Sequence, residues 1–521
     1  MNAAPSQLFG LTGLAKAPAD LPVLVVGAGI MGAGIAQVAA QAGHPVMLFD
    51  VREGAAAQAR DQLATTFDTL VAKQKLTAEA AAHILARIQV VTALDSAARA
   101  HLVVEAIVEK LEVKRSLFQQ LEAVVSADCV LATNTSSISV TAIANGLHHP
   151  QRLVGMHFFN PVPLMKLVEV VSGLQTAPAV ADGIVELAQA WGKTPVHARS
   201  TPGFIVNRIA RPYYAETLAL LQEQAANPAV LDACLRSVGF RMGPCELMDL
   251  IGHDTNFSVT SSVYEANFFD KRFVPSLVQR ELVDGGLLGR KTGRGFYSYA
   301  PGAEKPAMVP DSPALTGLPP FTTLAVVGTG PVADALHQRL AAHMPERLAE
   351  VARLPDAGWV GLQVGDAQLR LTDGRTATEL GGVSAADTAV FDWPTLVAPT
   401  EVLAWAPSVR SSDAWATQAP LWLQALGFNP QRLADVPGLV VARTLSMLVN
   451  EAADAVQQGV CSAVGADAAM KLGVNYPAGP FDWLARWGAP AVVQVLAALD
   501  ATYRGERYRT SPWLRQQAAL A

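Results

Sequence analysis

The chain has 521 residues, of which 51% are hydrophobic and 16% charged, and its formal net charge is −6. This length predicts roughly three or four domains of about 150 residues each, and the composition is typical of globular proteins with large cores, not of disordered chains. The acidic balance argues against nucleic-acid binding, and the four scattered cysteines predict neither a zinc site nor a disulfide framework, as expected in a reducing cytoplasm.

The first forty residues predict no membrane segment. Residues 21–43 carry no charge, but they contain Pro22, two glutamines and five glycines, which is a poor composition for a spanning helix. Residues 1–20 lack the basic start and long apolar core of a secretion signal, so we interpret them as an N-terminal extension.

A glycine-rich loop follows the first apolar run, Val23–Val26. Its first glycine allows a tight strand-to-helix turn, the second lets a pyrophosphate approach the backbone, and the third lets the helix pack close to the sheet. An aspartate ends the next apolar run, where its carboxylate accepts hydrogen bonds from ribose hydroxyls and repels a 2′-phosphate. The pattern predicts NAD binding rather than NADP, with FAD as the main alternative. The predicted cofactor residues of this segment are Gly27, Gly29, Ile30, Met31, Gly32 and Asp50.

Strand-like and helical segments alternate from Val23 to about residue 197. Such alternation predicts a mostly parallel, doubly wound sheet. The expected strands are 23–26, 46–49, 89–92, 102–105, 130–134, 153–158 and 166–171, and the expected helices are 30–42, 54–73, 77–87 and 111–126.

After Thr201–Phe204 the pattern becomes largely helical to about residue 288, and it ends in the segment Gly289–Tyr297. A linker rich in Pro, Gly and Ala follows at about 301–320. These changes of pattern mark the end of the first half of the chain.

The second half looks like a degenerate copy of the first. The loop at Gly328–Ala333 has alanine in place of the third glycine, and its proline removes a phosphate-facing N–H. Val436–Arg443 parallels Thr201–Arg208, and Gly479–Asp482 parallels Gly243–Glu246. The loop lies 175 residues before the Pro-Gly pair in the first copy (27 to 202) and 109 in the second (328 to 437), so the second copy lacks room for a full nucleotide fold. We interpret it as structural.

These patterns predict an α/β protein with all-α parts. The expected parts are an N-terminal extension (1–20), a doubly wound NAD-binding Rossmann-type domain (21–200), a helical domain for substrate binding or dimerisation (201–300), a linker (301–320), a degenerate truncated Rossmann-like domain (321–430) and a second helical domain (431–521).

A histidine and a glutamate face each other in a predicted hairpin. Two apolar runs flank a turn at Pro163, and if they pair there, positions whose numbers sum to 326 are opposite, which places His157 opposite Glu169. A carboxylate inside an apolar run is costly to bury without a partner. An imidazole held by a carboxylate is the arrangement of a general base for an alcohol proton. Either residue alone is compatible with a structural role, as a satisfied histidine or a solvated edge glutamate.

Other polar residues follow strand ends, where ligand sites of open α/β sheets gather. Asn134-Thr-Ser136-Ser137 is suited to hold a substrate oxygen or the nicotinamide, or to cap the next helix. Asn207 lies one turn beyond Pro202-Gly203, and because the second copy has Ala442 there, the fold itself does not require the amide.

Two charged groups have both functional and solvated interpretations. Glu105, Glu109, Lys110 and Lys114 follow a strand end, where they face the cofactor or form a solvated helix start. The pair Lys73 and Lys75 favours a solvated face over a phosphate clamp.

The segments described above resemble the L-3-hydroxyacyl-CoA dehydrogenase family. The resemblance rests on Asn134–Ser137, His157–Val171, Thr201–Arg208 and Gly289–Tyr297, and it is strong over about 21–300 and weaker over 321–521. The duplicated tail resembles the long bacterial form of the family, which includes 3-hydroxyadipyl-CoA and 3-hydroxybutyryl-CoA dehydrogenases of phenylacetate metabolism. The resemblance implies a cytoplasmic enzyme for NAD-dependent, reversible oxidation of (3S)-3-hydroxyacyl-CoA, in fatty-acid β-oxidation, phenylacetate or 3-hydroxybutyryl-CoA metabolism.

The resemblance also implies residue roles. His157 is the base and Glu169 orients it, while Ser136 and Asn207 position the hydroxyl or thioester oxygen. Further implied contacts to NAD come from Glu109, Lys114, Ser136 and Asn160, and Lys73 matches a coenzyme A contact only loosely. One departure is Cys245, where an aromatic residue is more usual, so we expect altered packing or an altered substrate pocket.

Three other functions remain open from the sequence. They are another β-hydroxyacid dehydrogenase, which would use a lysine in place of the histidine, a non-catalytic binding or structural protein on the same scaffold, and a multifunctional enzyme with hydratase activity in the tail. The expected partner is an acyl-CoA thioester, with no nucleic acid, membrane or metal. We expect either a homo-oligomer or packing of the two helical repeats within one chain.

Overall fold

The computed structural model describes residues 21–303, 321–382, 387–395 and 401–521. The expected N-terminal extension and most of the expected linker therefore lie outside the described residues. The chain forms two compact units: unit 1 runs to Arg208 and includes Ala455–Val474, and unit 2 comprises Ile209–Asp454 and Asn475–Ala521. In the part of the chain that is described, every helix is too short or too polar to cross a bilayer.

Unit 1 contains an eight-stranded sheet. Its strands are β1 (Val23–Val26), β2 (Val46–Phe49), β3 (Ile88–Val90), β4 (Leu102–Glu105), β5 (Val130–Thr133), β6 (Leu153–Phe158), β7 (Leu167–Ser172) and β8 (Thr194–Arg199). They lie in the order β3-β2-β1-β4-β5-β6-β7-β8. The first six are parallel, and β7 runs antiparallel to β6. The order reverses between β1 and β4, which is where such sheets bind dinucleotides.

Six helices cover the faces of this sheet. They are α1 (Ile30–Gln41), α2 (Ala55–Ala72), α3 (Ala78–Ala86), α4 (Leu111–Val124), α5 (Val140–Ala144) and α6 (Pro178–Ala190). Because both faces are covered, β1, β4 and β5 are buried along their whole length. The predicted doubly wound domain is confirmed. Strand β8 is not among the strands expected from the sequence. It is an edge strand in which exposed polar residues alternate with buried ones.

A helical repeat follows the first sheet. Its helices are α7 (Val206–Ile209), α8 (Arg211–Gln222), α9 (Pro228–Ser237), α10 (Pro244–Ile251), α11 (His253–Ala266) and α12 (Leu277–Asp284). Cys245, the departure from the family pattern, is fully buried in the first turn of α10, so it is a packing residue of this repeat.

The second copy begins with a smaller sheet in unit 2. Its strands are β9 (Leu324–Val327), β10 (Val351–Leu354), β11 (Gly361–Val364), β12 (Ala367–Leu371), β13 (Thr388–Phe391), β14 (Glu401–Pro407) and β15 (Phe428–Arg432), with helices α13 (Pro331–His343), α14 (Ala377–Gly381) and α15 (Asp413–Ala425). The order is β10-β9-β11-β12-β13-β14-β15. Three of its six pairings are antiparallel, including the tight hairpin β11–β12. A hairpin needs fewer residues than a helical crossover, which explains how a sheet forms in the shortened copy.

The second helical repeat has the helices α16 (Val441–Gln457), α17 (Ala463–Gly473), α18 (Pro480–Trp487), α19 (Ala489–Tyr503) and α20 (Pro512–Leu520). Its entry turn has the same backbone as the first: Phe204 has φ 47° and Leu439 has φ 50°, each after a glycine with positive φ. Non-glycine residues rarely adopt this left-handed conformation. The parallel between Thr201–Arg208 and Val436–Arg443 is therefore structural as well as sequential.

One helix of each helical repeat packs against the sheet of the other copy. In unit 1, α17 packs against β7 and β8. A Cβ atom on Gly473 would lie 2.7 Å from Leu167 Cδ2, and one on Gly465 would lie 2.8 Å from Val196 Cγ1. In unit 2, α9 of the first repeat packs against β14. Gly473 allows α17 its close approach to β7, which carries Glu169, and Gly465 allows its approach to β8.

Inside unit 2 the two helical repeats bind each other through buried ion pairs. Glu216 accepts hydrogen bonds from Arg443 Nε at 2.8 Å and Arg507 Nη2 at 2.9 Å. Arg272 lies 3.2 Å from Glu451. The second glutamate and the second arginine each lie 235 residues after the first, 216 to 451 and 272 to 507, so the interface has the reciprocal pairing of a two-fold dimer. The predicted packing of the two helical repeats within one chain is confirmed.

We expect Arg443→Met to lower the free energy of unfolding by about 3–5 kcal/mol, because the change leaves Glu216 buried with one fewer cation. Urea unfolding of the full chain, followed by tryptophan fluorescence, measures this change. The matched control is Arg353→Met, which removes an exposed ion pair with Asp334 and should cost less than about 1 kcal/mol. Equal losses in the two variants would contradict a dominant role for the buried pair.

Candidate active site

The glycine loop after β1 has the shape that a dinucleotide requires. Gly27 has φ +105°, and a Cβ atom there would lie 2.4 Å from the carbonyl oxygen of Ala106. A Cβ on Gly32 would lie 1.7 Å from the carbonyl oxygen of Gly27, so the third glycine chiefly lets the helix approach its own loop. Gly29 has no atom within 4 Å of the position of a Cβ. The second glycine therefore faces open space, as close approach by a pyrophosphate demands.

The start of α1 offers backbone donors at this loop. Gly29 caps the helix without any side-chain hydrogen bond, so the N–H groups of the first turn are available to an anion. Ile30 is 79% exposed and Met31 is half-buried. A cavity of 830 Å³, lined mainly by apolar groups, opens beside the loop and reaches Asp50. These residues fit NAD.

Asp50, at the end of β2, is already hydrogen-bonded. Its Oδ2 accepts from the N–H of Ala28 at 2.8 Å, and its Oδ1 accepts from Arg52 N at 2.9 Å and Arg52 Nε at 3.1 Å. Partial burial raises the pKa of the Asp50 carboxyl, but the hydrogen bonds from Arg52 and Ala28 outweigh it and hold the pKa below its ordinary value. Arg52 was not predicted from the sequence. Its exposed guanidinium pairs with Asp50, and an arginine near this aspartate can bind a 2′-phosphate.

The predicted hairpin forms in the predicted register. The antiparallel pairing of β6 and β7 places His157 opposite Glu169, and His157 Nδ1 lies 2.6 Å from Glu169 Oε2. The two side chains are 7% and 1% exposed. The rings of Phe159 and Phe204 pack against the imidazole, with centroids at 4.5 and 5.9 Å. Because Nδ1 is held by the carboxylate, Nε2 is the nitrogen that can exchange a proton with a ligand.

The second oxygen of Glu169 connects the hairpin to the next segment. Oε1 accepts hydrogen bonds from the N–H groups of Ile205 at 3.1 Å and Val206 at 2.9 Å. The solvated-edge interpretation of this glutamate is wrong, because it is fully buried. Asn207 follows directly, and its Nδ2 lies 3.5 Å from the carbonyl oxygen of Ser136. The carboxylate thus brings the imidazole and the amide of Asn207 to neighbouring positions.

The loop Asn134–Ser137 is organised by Glu109. Glu109 Oε1 accepts from Thr135 Oγ1 at 2.5 Å, from Ser136 N at 2.9 Å and from Ser137 Oγ at 3.1 Å. Burial raises the pKa of the Glu109 carboxyl, but the charge of Lys114 and these hydrogen bonds outweigh it, so the pKa lies below its ordinary value. The helix-capping interpretation of the loop is wrong, since Ser139 caps α5.

Lys114 lies beneath this loop. Its side chain is 1% exposed, and Nζ lies 2.6 Å from Glu105 Oε1 and 3.1 Å from Glu109 Oε2. Glu105, fully buried, also accepts from Thr133 Oγ1 at 2.7 Å. The solvated helix start considered for these residues is therefore wrong for Glu105 and Lys114. In this arrangement Lys114 acts through Glu109.

The remaining predicted residues lie at the edges of the site. Asn134 Oδ1 accepts from the N–H of Phe158 at 2.8 Å, which ties the serine loop to the strand of His157. Asn160 is exposed at the start of the β6–β7 turn, and Lys73 is exposed at the end of α2. Thr135, which binds Glu109, and Phe159, which packs on His157, were not predicted as site residues. Both lie inside the sequence motifs described above.

Family models cover most of the chain. The model of the 3-hydroxyacyl-CoA dehydrogenase NAD-binding domain matches residues 22–201. That of the C-terminal domain matches twice, at 203–299 and 438–520. The 3-hydroxybutyryl-CoA dehydrogenase reduced Rossmann-fold domain matches 369–437.

Known relatives match the chain over different lengths. The 3-hydroxyadipyl-CoA dehydrogenase of Escherichia coli K12 is 44% identical over 96% of this chain and 97% of its own. A crystal structure described as 3-hydroxybutyryl-CoA dehydrogenase from E. coli K12 has a TM-score of 0.85 and 42% identity, and covers 96% of this chain and 99% of its own. The human mitochondrial hydroxyacyl-coenzyme A dehydrogenase is 39% identical over 53% of this chain and 90% of its own length.

Along the chain the models match in the order NAD-binding domain, C-terminal domain, reduced Rossmann-fold domain and C-terminal domain again. The chain belongs to the 3-hydroxyacyl-CoA dehydrogenase family.

Proposed function

We propose that the chain catalyses the NAD-dependent, reversible oxidation of (3S)-3-hydroxyacyl-CoA thioesters to 3-oxoacyl-CoA. The observation that carries this proposal is the buried contact of 2.6 Å between His157 Nδ1 and Glu169 Oε2, on a hairpin of the sheet that also forms the nucleotide crevice. Family membership supports the reaction class.

His157 is the general base of the oxidation. Its Nε2 takes the proton of the 3-hydroxyl group, and Glu169 stabilises the imidazolium that forms. NAD⁺, which the glycine loop and Asp50 would hold, would supply the hydride acceptor for C3, the carbon atom that carries the hydroxyl group. In the reverse direction the imidazolium returns the proton to the oxygen. The two N–H groups that bind Glu169 Oε1 keep the carboxylate oriented during this cycle.

Ser136 and Asn207 hold the reacting oxygen. Their hydroxyl and amide groups are donors that stabilise the negative charge developing on that oxygen. Glu109 fixes the backbone N–H of Ser136, and Lys114 fixes Glu109. This support makes the donors preorganised, which is the property that gives such groups their catalytic effect.

The cofactor site comprises the glycine loop, Ile30, Met31 and Asp50, together with Ser136 and Asn160. Glu109 and Lys114 shape this site from below, and Lys73 contributes a contact to coenzyme A. For the acyl group we propose a short chain, because two E. coli relatives, which match 96% of this chain at 44% and 42% identity, are named for 3-hydroxyadipyl-CoA and 3-hydroxybutyryl-CoA.

We also propose a cytoplasmic location and a chain that needs no second copy to cover its helical repeats. The four cysteines are buried free thiols, as a reducing compartment allows. The reciprocal arginine–glutamate pairs inside unit 2 supply the packing that a second subunit would otherwise provide.

We expect His157→Ala to lower kcat by about 10²- to 10⁴-fold, the usual contribution of a general base. NADH binding, measured by fluorescence titration, should change little because the imidazole does not shape the nucleotide loop. The assay follows NADH absorbance with acetoacetyl-CoA.

The matched control is His197→Ala on β8, whose side chain is 56% exposed. It should retain wild-type kcat. Near-normal turnover by the His157 variant would refute the proposed role, and an inactive wild type would favour a non-catalytic protein on this scaffold.

We expect Asp50→Ser to lower kcat/KM for NAD⁺ by about ten- to a hundredfold, the effect of losing hydrogen bonds to a charged group. The change also frees Arg52 to bind a 2′-phosphate, so kcat/KM for NADP⁺ should rise. The double variant Asp50→Ser/Arg52→Ala should lose this gain. An unchanged ratio of NAD⁺ to NADP⁺ use in the single variant would contradict the ribose-binding role.

Acyl-chain preference is tested by kcat/KM for 3-hydroxybutyryl-CoA, 3-hydroxyadipyl-CoA and 3-hydroxyoctanoyl-CoA. We expect the first two to exceed the third. The reverse order would contradict the short-chain proposal without affecting the reaction class.

A further inference from the structure

Lys193 is a buried cation held by neutral acceptors. It lies between α6 and β8 and is 8% exposed. Its Nζ donates to the carbonyl oxygens of Val162 at 2.5 Å and Met165 at 2.8 Å. Buried lysines are rare unless they are paired, and both of these acceptors are uncharged, so stability of the fold is a weak explanation for this charge.

The two carbonyl groups belong to the turn that joins β6 to β7. This turn contains Pro161 and Pro163, which have no N–H, and the N–H groups of Leu164 and Met165 both bind the carbonyl oxygen of Pro161. Lys193 therefore supplies donors to a turn that is short of them. A buried carbonyl without a donor is costly, so the ammonium favours one conformation of the turn.

The same turn touches the nucleotide helix. Val162 is 2% exposed, and a Cβ atom on Gly34 of α1 would lie 2.8 Å from Val162 Cβ. Asn160 begins the turn, and His157 and Glu169 stand on the two strands that leave it. The turn thus contacts α1 through Val162 and is bound by Lys193 through two carbonyl groups, and we call the bonds from Lys193 the clamp.

We propose that Lys193 is a positioning residue that holds the β6–β7 turn against the nucleotide helix, and so sets Asn160 and His157 relative to the bound cofactor. The proposal rests on the dehydrogenase function proposed above. It assigns to Lys193 no contact with substrate or cofactor.

The charge of Lys193 responds to pH in a range that kinetics can reach. Burial and the positive charge of Lys166 lower the pKa of Lys193 to about 8. Lys166 is exposed on the turn, with Nζ 3.4 Å from the carbonyl oxygen of Gly192. Lys166 and Lys193 are the charged residues that line the adjoining cavity, and its other lining residues are uncharged: Val38, Gln41, Ala42, Pro163, Ala190, Trp191 and Gly192. His44 packs against Trp191, and burial lowers its pKa, so it is neutral above pH 7.

Loss of the proton weakens the clamp without breaking it. A neutral amine still donates, but a hydrogen bond from a charged donor is about twice as strong. Global stability behaves differently from the clamp: the folded protein binds fewer protons at Lys193 than the unfolded chain does, so the contribution of Lys193 to the free energy of unfolding increases with pH. A fall in activity above pH 8 would therefore report the turn and not unfolding.

We expect Lys193→Met to lower kcat roughly ten- to a hundredfold, as small misplacements of reacting groups do. The KM for the thioester should change less than the kcat. Wild-type kcat for oxidation should fall several-fold to a lower plateau above pH 8, and this alkaline step should be absent from the variant. Amide hydrogen exchange of residues 160–166 should accelerate in the variant.

The matched control is Lys166→Met, which removes the like charge but not the clamp. It should keep the wild-type plateau of kcat, with the alkaline step moved to higher pH. The proposal is overturned if Lys193→Met keeps wild-type kcat and exchange, or if it loses stability and activity together while the alkaline step persists. Hydrogen exchange needs no turnover, so it tests the clamp even if the proposed function fails.

Discussion

A buried carboxylate that accepts backbone N–H groups from the next segment organises both halves of this chain. In unit 1, Glu169 accepts from Ile205 and Val206. In unit 2, Asp392 accepts from the N–H groups of Val440, Val441 and Ala442 at 2.7–2.9 Å. In each case the acceptor follows or lies in a strand, and the donors follow a turn with a positive φ at Phe204 or Leu439. The carboxylate compensates N–H groups that would otherwise be buried without partners at the start of a helix.

The two carboxylates differ in what remains for chemistry. Both oxygens of Asp392 bind backbone N–H groups, because Oδ1 accepts from Ala442 and Trp393 and Oδ2 from Val440 and Val441. Glu169 has one more methylene and reaches its N–H groups with Oε1 alone. Its Oε2 is therefore left for His157. Glu169 is thus a structural link between two segments, and its second oxygen orients the imidazole of His157. Any variant at Glu169 then perturbs the fold and the base together.

A second network, centred on a buried ion pair between Lys114 and Glu105, organises the rest of the site. Lys114 sits between Glu105 and Glu109, and Glu109 in turn holds the loop of Ser136. Ionic groups removed from water in this way are costly unless every partner is present, so the network tolerates little rearrangement. Donors held this firmly would need no reorganisation in the proposed reaction, in which charge develops on a substrate oxygen.

Because the helical repeat is duplicated, each copy buries a surface of the other within one chain. The arginine–glutamate pairs of unit 2 have the reciprocity of a dimer, yet both members belong to one chain, so their association does not depend on protein concentration. The second copy has Ala333 at the third glycine position of its loop, but its sheet still packs around a hydrophobic core. Its helix α17 returns to pack on β7 in unit 1 through Gly473. The degenerate copy thereby supports the strand that carries Glu169.

Short-range rules were enough to predict much of this structure. The spacing of the glycines between a strand and a helix predicts the conformation of the nucleotide loop. A hairpin about Pro163 pairs His157 with Glu169, because antiparallel register follows from the position of the turn. What the sequence determined by itself was therefore the nucleotide loop, the histidine–glutamate pair and the repeat. Only the tertiary structure decided that Glu169 also binds Ile205 and Val206, that Lys114 is buried under the serine loop and that α17 packs on β7. These contacts join different segments of the chain. Local periodicity carries no information about which segments packing brings together.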